Sequence, residues 1–302
     1  MTPATRIAEA LRGRSHVLLL GHVSPDGDSL GSTLALARAL WTCGQHATVG
    51  SADGVPTMYR FLPGSERIQT ALPDGATYDA VVFMECSSPE RAGALAARAA
   101  GVPLWVNIDH HVSNSGFGDL IDHDPAAAAV GELVYPIVRE FLPTLDAGTA
   151  TCLLCALLTD TGSFRYQSVA PGTLRIAADL VAAGASVAEV YEQVYENRPA
   201  SALHLLGKAL DRCALAEEGR VAWTVVTQAM LRETGAVMED SEGIIGALRG
   251  IAGVEVAALF KEEPDGIRVS LRARGRVRAH VIAGAFGGGG HAAAAGFTGH
   301  GS

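Results

Sequence analysis

Three short apolar runs, each followed by acidic or histidine side chains, most constrain what this chain can fold into. The runs lie at residues 17–20, 79–84 and 104–108, and the last two contain almost no polar residue. Near-continuous apolar strands are typical of parallel sheets that are buried on both faces. Apolar residues at spacings of three and four over residues 30–41 predict a helix between the first two strands, and further helices are expected at 90–100, 126–142 and 147–158. Because strand and helix alternate, we expect a doubly wound α/β domain.

Side chains that bind divalent metals follow each predicted strand. The carboxyl ends of parallel strands meet at one edge of a sheet, where ligands bind in open α/β folds. Four carboxylates with imidazoles and no thiol suit manganese or magnesium better than structural zinc. We therefore predict a dinuclear metal site with a bridging carboxylate. The candidate ligands are His22, Asp26, Asp28, Glu85, His110 and Asp160.

Each candidate ligand also has an ordinary structural explanation. Residues 24–27 are common turn residues, and Asp28 or Ser29 would cap the following helix well. Asp160 could close a turn, and His110 could be an interior histidine with a hydrogen-bond partner. So many like charges at one sheet edge would repel one another strongly without cations. We therefore favour the metal-binding explanation for the whole set.

The pattern changes beyond residue 207. Short or alternating apolar runs at 220–226, 254–260 and 266–271 predict strands, and helices are expected near 241–249 and 277–286. We expect three segments: a metal-binding α/β domain at residues 1–186, a linker or connecting helix at 187–207, and a smaller α/β domain at 208–302.

A glycine run in this second region is a candidate phosphate site. Gly288, Gly289 and Gly290 precede His291 and a run of small residues that could begin a helix. Glycine N–H groups at a helix start form an anion-binding nest, and His291 would add a donor. A flexible loop is the alternative. Arg272 is the upstream arginine that we expect to bind a ligand phosphate, since arginine does so with two parallel hydrogen bonds.

Charge and cysteine content exclude other classes of protein. A net charge of -9 argues against a generally basic nucleic-acid-binding surface but allows a small basic patch. Five scattered cysteines do not form a disulfide framework, which favours a reduced, cytoplasmic protein. Cys152 and Cys155 lie within an apolar run, so we interpret them as core residues of a helix. No apolar stretch approaches the roughly 20 residues that span a bilayer, so we expect no membrane partner.

Four motifs in order resemble those of the DHH phosphoesterase family. They are HVSPDGD at residues 22–28, DHH at 109–111, DTG at 160–162, and GGGGH at 287–291, where the family has its DHH-associated domain. The order and spacing match across almost the whole chain. At this length the chain most resembles the bacterial nano-RNase and pAp phosphatase branch. The resemblance implies two lobes that face a cleft, and a dimanganese centre in which Mg²⁺ or Co²⁺ could replace Mn²⁺.

The resemblance also implies roles for individual residues. One metal would be held by His22 and Asp26 and the second by Asp28, His110 and Asp160, with a carboxylate that bridges both. The family normally has aspartate at the bridging position, whereas this chain has Glu85. The longer side chain either keeps a working site or marks a degraded one, and we favour the working site.

Further roles follow from the same resemblance. His111 would face the scissile phosphate, and Asp109 would orient His110. The expected substrate-binding residues are Arg91, Arg272, Gly288, Gly289, Gly290 and His291.

The implied activity is hydrolysis of very short oligoribonucleotides to mononucleotides and of pAp to AMP. Short DNA is an alternative substrate, and a homodimer is an alternative to a monomer. Within the family, the rivals are a phosphodiesterase for pApA or cyclic dinucleotides and a type II pyrophosphatase. The rival from another class is a nucleotide-binding regulator with a degraded metal site.

Overall fold

The structure, a computed structural model, describes residues 1–264, 266–290 and 292–299. The chain divides into two compact units, Met1–Asn197 and Arg198–Ser302. No helix among the described residues is both long and apolar enough to cross a lipid bilayer.

The first unit is built on a five-stranded sheet in the order β2-β1-β3-β4-β5, with every pair of neighbours parallel. The strands are β1 His16–Leu20, β2 His46–Gly50, β3 Ala80–Met84, β4 Trp105–Asp109 and β5 Leu120–His123. Strand order reverses between β1 and β3, so the carboxyl ends of these two strands form the switch point where α/β sheets bind ligands. The predicted doubly wound α/β class is confirmed.

Six α-helices belong to this unit: α1 Pro3–Leu11, α2 Gly27–Thr42, α3 Val130–Phe141, α4 Ala147–Asp160, α5 Pro171–Ala182 and α6 Val187–Tyr191. Shorter turns of 3₁₀-helix lie at Thr57–Tyr59 and Ser65–Arg67, and a π-helical turn at Glu192–Glu196 follows α6. Cys152 and Cys155 are fully buried in α4, and burial raises the pKa of the Cys152 thiol to about 12. Their predicted place in the core is therefore confirmed.

Three features of the first unit differ from the sequence predictions. The helix expected at 90–100 is the 3₁₀ segment Pro89–Ala99, which is interrupted at Gly93 by a left-handed backbone (φ 62°). The helix expected at 126–142 begins only at Val130. Strand β5 was not predicted, because its sequence LIDH is half polar and it pairs only with β4 at the edge of the sheet.

The second unit contains a six-stranded sheet in the order β10-β11-β9-β8-β7-β6. Only β7 and β8 are parallel, and the other neighbours are antiparallel. The strands are β6 Ala214–Ala216, β7 Val221–Val226, β8 Val256–Glu263, β9 Gly266–Ala273, β10 Gly289–Gly290 and β11 Ala294–Gly299. The helices are α7 Ala200–Asp211, α8 Gln228–Thr234, α9 Ile244–Arg249 and α10 Ala279–Gly284, with 3₁₀ turns at Glu217–Gly219 and Met238–Ser241.

The glycine run does not precede a helix, so that prediction is wrong. Gly289 and Gly290 form β10, which pairs in an antiparallel hairpin with β11. A Cβ on Gly288 would lie 2.2 Å from the carbonyl oxygen of Gly296, so only glycine fits this close approach of two backbones. The small residues that suggested a helix start instead allow the strands of the hairpin to lie close together.

Candidate metal centre

His22 follows β1 and is almost fully buried. Its Nδ1 lies 2.8 Å from the carbonyl oxygen of Val23, to which it donates a hydrogen bond. This bond directs Nε2 towards carboxylates: Glu85 Oε2 lies 3.5 Å away and Asp26 Oδ1 lies 3.9 Å away. A ring that donates through one nitrogen to a carbonyl while the other faces acidic oxygens is the usual arrangement of a metal-binding histidine.

Asp26 has a second contact that fixes its position. It is the N-cap of α2, and its Oδ1 accepts hydrogen bonds from the backbone N–H groups of Asp28 (3.1 Å) and Ser29 (3.0 Å). The expectation that Asp28 or Ser29 caps this helix is therefore wrong. The capping role of Asp26 frees the carboxylate of Asp28 for contacts further inside the unit.

Asp28 is fully buried in the first turn of α2 and joins α2 to α3. Its Oδ2 accepts from the N–H of Val130 (2.6 Å), and its Oδ1 accepts from the N–H of Gly131 (3.0 Å) and from Ser32 Oγ (3.0 Å). Backbone N–H groups at a helix N-terminus stabilise a negative charge. No sequence pattern indicated these partners, because two of the three are main-chain groups 102 and 103 residues away.

His110 enters the centre from the end of β4 in the same manner as His22. Its Nδ1 lies 3.0 Å from the carbonyl oxygen of Ala127, and its Nε2 faces carboxylates. Asp160 Oδ2 lies 3.4 Å from this nitrogen, and Asp28 Oδ2 and Glu85 Oε1 each lie 3.9 Å from it. Asp160 arrives as the last residue of α4.

Glu85 lies between the two histidines. One carboxylate oxygen faces His22 and the other faces His110. Only 2% of the residue is exposed, and Oε2 has no hydrogen-bond partner among the described residues. The backbone of Glu85 is left-handed (φ 58°), which is rare for a residue with a side chain.

Three groups of side chains could each hold a metal ion, since within each group the ligand atoms lie within 4.8 Å of one another. Glu85 is shared by two of the groups, and so is His110. The groups are His22 with Asp26 and Glu85, Asp28 with His110 and Asp160, and Glu85 with His110 and His111. The structure thus brings together all six side chains predicted as ligands, and adds His111.

The ionisation of these groups reflects concentrated negative charge. Burial raises the pKa of Asp160 to about 7, and the charges of Glu85 and Asp26 add to that effect. Burial also raises the pKa of Asp28, with repulsion from Glu85 and Asp160. Burial opposes the charged form of His22, but the neighbouring Glu85 nevertheless raises the pKa of that ring to about 9. Cations would relieve this repulsion, and the oxygen and imidazole donors fit divalent metals.

Asp109 contacts the ring of His111, whereas we expected it to orient the ring of His110. Its Oδ1 lies 2.7 Å from Nδ1 of His111 and also accepts from the N–H groups of His110 (2.8 Å) and His111 (3.2 Å). The ring of His110 is instead oriented by Ala127. Burial opposes the charged form of Asp109, yet the hydrogen bonds from His111 and Asn114 lower its pKa. The carboxylate of Asp109 therefore orients His111.

Of the predicted substrate residues, Arg91 belongs to the first unit, whereas Arg272 and Gly288–Gly290 belong to the second. Arg91 is exposed in the 3₁₀ segment after β3, where its carbonyl oxygen accepts from the N–H of Val23 (2.7 Å). Arg272 is half-buried on β9 and donates to the carbonyl oxygen of Leu271 (3.2 Å). Gly288 donates its N–H to Ala283 (2.9 Å), while Gly289 and Gly290 belong to the hairpin. His291 lies outside the described residues.

Two family models match the sequence of this chain. The family model described as "DHH family, N-terminal domain" matches residues 16–185, and that of the "DHHA1 domain" matches residues 220–302. The bifunctional oligoribonuclease and PAP phosphatase NrnA of Thermus thermophilus is 36% identical over 299 residues, which cover 97% of this chain and 87% of the relative. The Bacillus subtilis protein of the same name is 26% identical and covers 93% of this chain and 88% of its own.

Solved structures extend the likeness to the fold. The crystal structure of an exopolyphosphatase-related protein from Bacteroides fragilis has a TM-score of 0.90 to this chain at 24% identity, and the match covers 99% of this chain and 92% of that one. Its similarity shows the shared fold.

Proposed function

The chain belongs to the DHH family of phosphoesterases, and on that premise we propose that it is a manganese-dependent phosphohydrolase of very short oligoribonucleotides and of pAp. Its products would be mononucleotides and AMP. Relatives that match over more than nine-tenths of this chain are named for both activities. The observation that carries the proposal is the buried cluster in which Glu85 lies between two metal-binding groups.

We assign the ligands in two sets that share Glu85. His22 and Asp26 would hold one ion, and Asp28, His110 and Asp160 would hold the other. Two bound divalent ions would polarise the phosphate and lower the pKa of a water molecule that attacks phosphorus. A thiol-free set of carboxylates and imidazoles favours Mn²⁺, with Mg²⁺ or Co²⁺ as alternatives.

The remaining residues would bind and orient the substrate. Asp109 Oδ1 lies 2.7 Å from Nδ1 of His111 and would hold a proton there, which would direct the opposite nitrogen of this ring to the scissile phosphate or the leaving oxygen. We assign Arg91, Arg272, Gly288–Gly290 and His291 to the phosphate groups of the nucleotide. We further propose residues 1–186 as the catalytic domain, residues 187–207 as the connection and residues 208–302 as the substrate-binding domain.

We place the protein in the cytoplasm, where short RNA and pAp would be its substrates, with short DNA as an alternative. The test is turnover of a ribodinucleotide, a deoxyribodinucleotide, pAp, cyclic di-AMP and pyrophosphate by the purified chain with Mn²⁺. We expect the ribodinucleotide and pAp to be the best substrates. Hydrolysis of pyrophosphate alone, or of cyclic di-AMP alone, would assign the chain to another activity of the family.

A further inference from the structure

A continuous set of hydrogen bonds joins the loop after β3 to the loop after β4. Asn107, on β4, is fully buried, and its Nδ2 donates to the carbonyl oxygen of Cys86 (2.9 Å). Its Oδ1 accepts from Nδ2 of Asn114 (2.8 Å). The same Asn114 nitrogen donates to Oδ2 of Asp109 (2.6 Å). Asp109 in turn accepts from the ring of His111, so the path runs from Cys86 to His111.

Asn114 is held in one orientation by its own contacts. Its Oδ1 accepts from the N–H of Gly116 (2.7 Å), and this bond places the amide nitrogen towards Asn107 and Asp109. Its two hydrogens serve the short contacts with Asn107 and Asp109, and the same nitrogen also lies 3.4 Å from the carbonyl oxygen of Cys86. Neither oxygen of Asp109 is left without a donor, which suits a fully buried carboxylate.

The two carboxylate oxygens of Asp109 therefore have different hydrogen-bond donors. Oδ1 accepts from the ring and main chain of His111 and from the main chain of His110, whereas Oδ2 accepts from Asn114. Without Asn114 the carboxylate of Asp109 would be held through Oδ1 alone, and it could then rotate about its terminal torsion, which is broad. Loss of the Asn114 contact would therefore loosen the ring of His111.

The other end of the path supports Glu85. Cys86, whose carbonyl accepts from Asn107, is the residue directly after Glu85. The two loops also meet through Ser115, whose N–H donates to the carbonyl oxygen of Ser87 (2.8 Å). The left-handed backbone of Glu85 is thus fixed on its carboxyl-terminal side by the loop that carries His111.

We propose that Asn114, supported by Asn107, is a positioning residue that sets the ring orientation of His111 through Asp109. The inference rests on the proposed function, because it gives His111 a role at the phosphate. It assigns a role to two asparagines that lie outside the four family motifs. Removal of a buried side chain that orients a site residue by a hydrogen bond typically lowers activity about 10- to 100-fold.

The variants are Asn114→Ala and Asn107→Ala, and Asn197→Ala is the matched control. Asn197 lies at the end of the π-helical turn, and its side-chain nitrogen has a long contact with Gln193 (3.4 Å) as its one hydrogen bond within the described part of the chain. With a ribodinucleotide and Mn²⁺, we expect Asn114→Ala to lower kcat about 10- to 100-fold with KM changed less than about threefold. Asn107→Ala should give a smaller loss in kcat, and the control should match the wild type.

Two further measurements separate positioning from a general loss of structure. In the background of His111→Ala, Asn114→Ala should cause little additional loss, because residues that act as one unit are not additive. Nitrogen-15 spectra of the metal-free protein at pH 8 should show His111 protonated at Nδ1 in the wild type. In Asn114→Ala the Nδ1-bound signal should shift towards a mixture of tautomers.

The outcomes are distinguishable. An unchanged His111 signal in Asn114→Ala, or full additivity with His111→Ala, would overturn the positioning role. A wild-type protein that hydrolyses neither the ribodinucleotide nor pAp would overturn the proposed function instead. The spectrum of His111 would then still decide whether Asn114 controls that ring.

Discussion

At the scale of single residues, Glu85 combines a strained backbone conformation with a place at the candidate metal centre. A left-handed backbone costs a residue with a side chain roughly 1–2 kcal/mol. Here the conformation is held by the N–H of Glu85, which donates to the carbonyl oxygen of Ile108 (2.8 Å), and it places the carboxylate between His22 and His110. Strain of this kind persists where the surroundings determine it and is common at functional sites.

Glu85→Gln tests whether that carboxylate serves both metal ions. The amide keeps the size of the side chain but removes the charge and half of its acceptor capacity. We expect Mn²⁺ affinity to fall about 10- to 100-fold and turnover of a ribodinucleotide to fall at least as much. Isothermal titration with Mn²⁺ and initial rates at saturating metal measure the two effects.

Glu90→Gln is the matched control, since Glu90 is an exposed glutamate in the segment that follows. We expect it to leave both quantities unchanged. Glu85→Asp separates the working site from the degraded one. If the wild type binds Mn²⁺ without hydrolysis and Glu85→Asp restores hydrolysis, the chain is a regulator whose site has been lost.

At the scale of elements, two helices deliver ligands to the centre from the same end of one contact. Asp28 lies in the first turn of α2 and Asp160 ends α4, both face His110, and the helices meet closely at Gly31. A Cβ on Gly31 would lie 2.3 Å from the carbonyl oxygen of Cys152 and 3.1 Å from the backbone nitrogen of Ala156. The distance between these ligands therefore depends on a glycine.

Gly31→Ala should force α2 and α4 apart. Overpacking a close helix contact costs about 1–3 kcal/mol, and here it also moves Asp28 relative to Asp160. We expect lower stability in urea and weaker Mn²⁺ binding by titration. Gly207→Ala in α7 is the control, because nothing lies within 4 Å of its added Cβ. Alanine there should stabilise the chain by up to about 1 kcal/mol, and equal effects of the two variants would contradict the helix-contact argument.

The start of α4 provides a pH-dependent prediction. Asp146 caps this helix, accepting from the N–H of Thr149 (3.1 Å), and it pairs with Arg38 (2.6 Å). Partial burial opposes its ionisation, but hydrogen bonds from Thr149 and Arg38 lower the pKa of Asp146 to about 2. A carboxyl whose pKa is lower in the folded state stabilises the fold above its ordinary pKa, and this stabilisation is lost as pH falls towards 2.

Asp146→Ala should therefore cost about 1 kcal/mol of unfolding free energy at pH 7. The difference from the wild type should stay constant down to about pH 5 and then shrink as the carboxyl is protonated. Asp146→Asn, which keeps a capping oxygen, should lose less at pH 7. Urea unfolding at pH 7, 5 and 3 measures these differences, and a difference that grows at pH 3 would contradict the assigned cause.

The sequence predicted those elements whose pattern of apolar residues is clear, and it missed the others. The apolar strand β3, the largely apolar strand β4 and the long helices α2 and α4 were predicted because their apolar runs or spacings are clear in the sequence. Strand β5 was missed because LIDH has neither a continuous apolar run nor a clean alternation. The glycine hairpin was mistaken for a helix start, since alanine and glycine carry no period and only their pairing with β11 decides their structure.

The same limit applies to the candidate centre. Its six predicted ligands are side chains that follow strands or belong to family motifs, so the sequence could indicate them as candidates. The partners that orient them are main-chain groups, such as the N–H of Val130 and the carbonyl of Ala127, and carry no residue-specific signal. Asn107 and Asn114 were missed because the alignment of two loops is a property of the fold.

At the scale of the whole molecule, the two units divide the proposed tasks. All six predicted metal ligands lie between residues 22 and 160, within the first unit, whereas Arg272 and the glycine hairpin lie in the second. Metal binding and most substrate binding should therefore be separable by mutation. Addition of Mn²⁺ should raise the Tm of the wild type, because a ligand that binds only the folded state stabilises it by about 2.7 kcal/mol at 100 times its Kd.

We expect Arg272→Ala to weaken substrate binding without changing metal binding, and Asp160→Asn to weaken metal binding and turnover. Loss of a charged hydrogen bond to a phosphate costs roughly 1.5–3 kcal/mol, so Arg272→Ala should raise the KM for a ribodinucleotide about 10- to 100-fold. Its Tm shift with Mn²⁺ should equal that of the wild type. Asp160→Asn should lose most of that Tm shift together with kcat.

Arg232→Ala, which removes an exposed arginine from α8, is the control and should change neither the KM nor the Tm shift with Mn²⁺. A reduced Mn²⁺ shift in Arg272→Ala would mean that the second unit takes part in metal binding, and an unchanged KM would remove Arg272 from the substrate site.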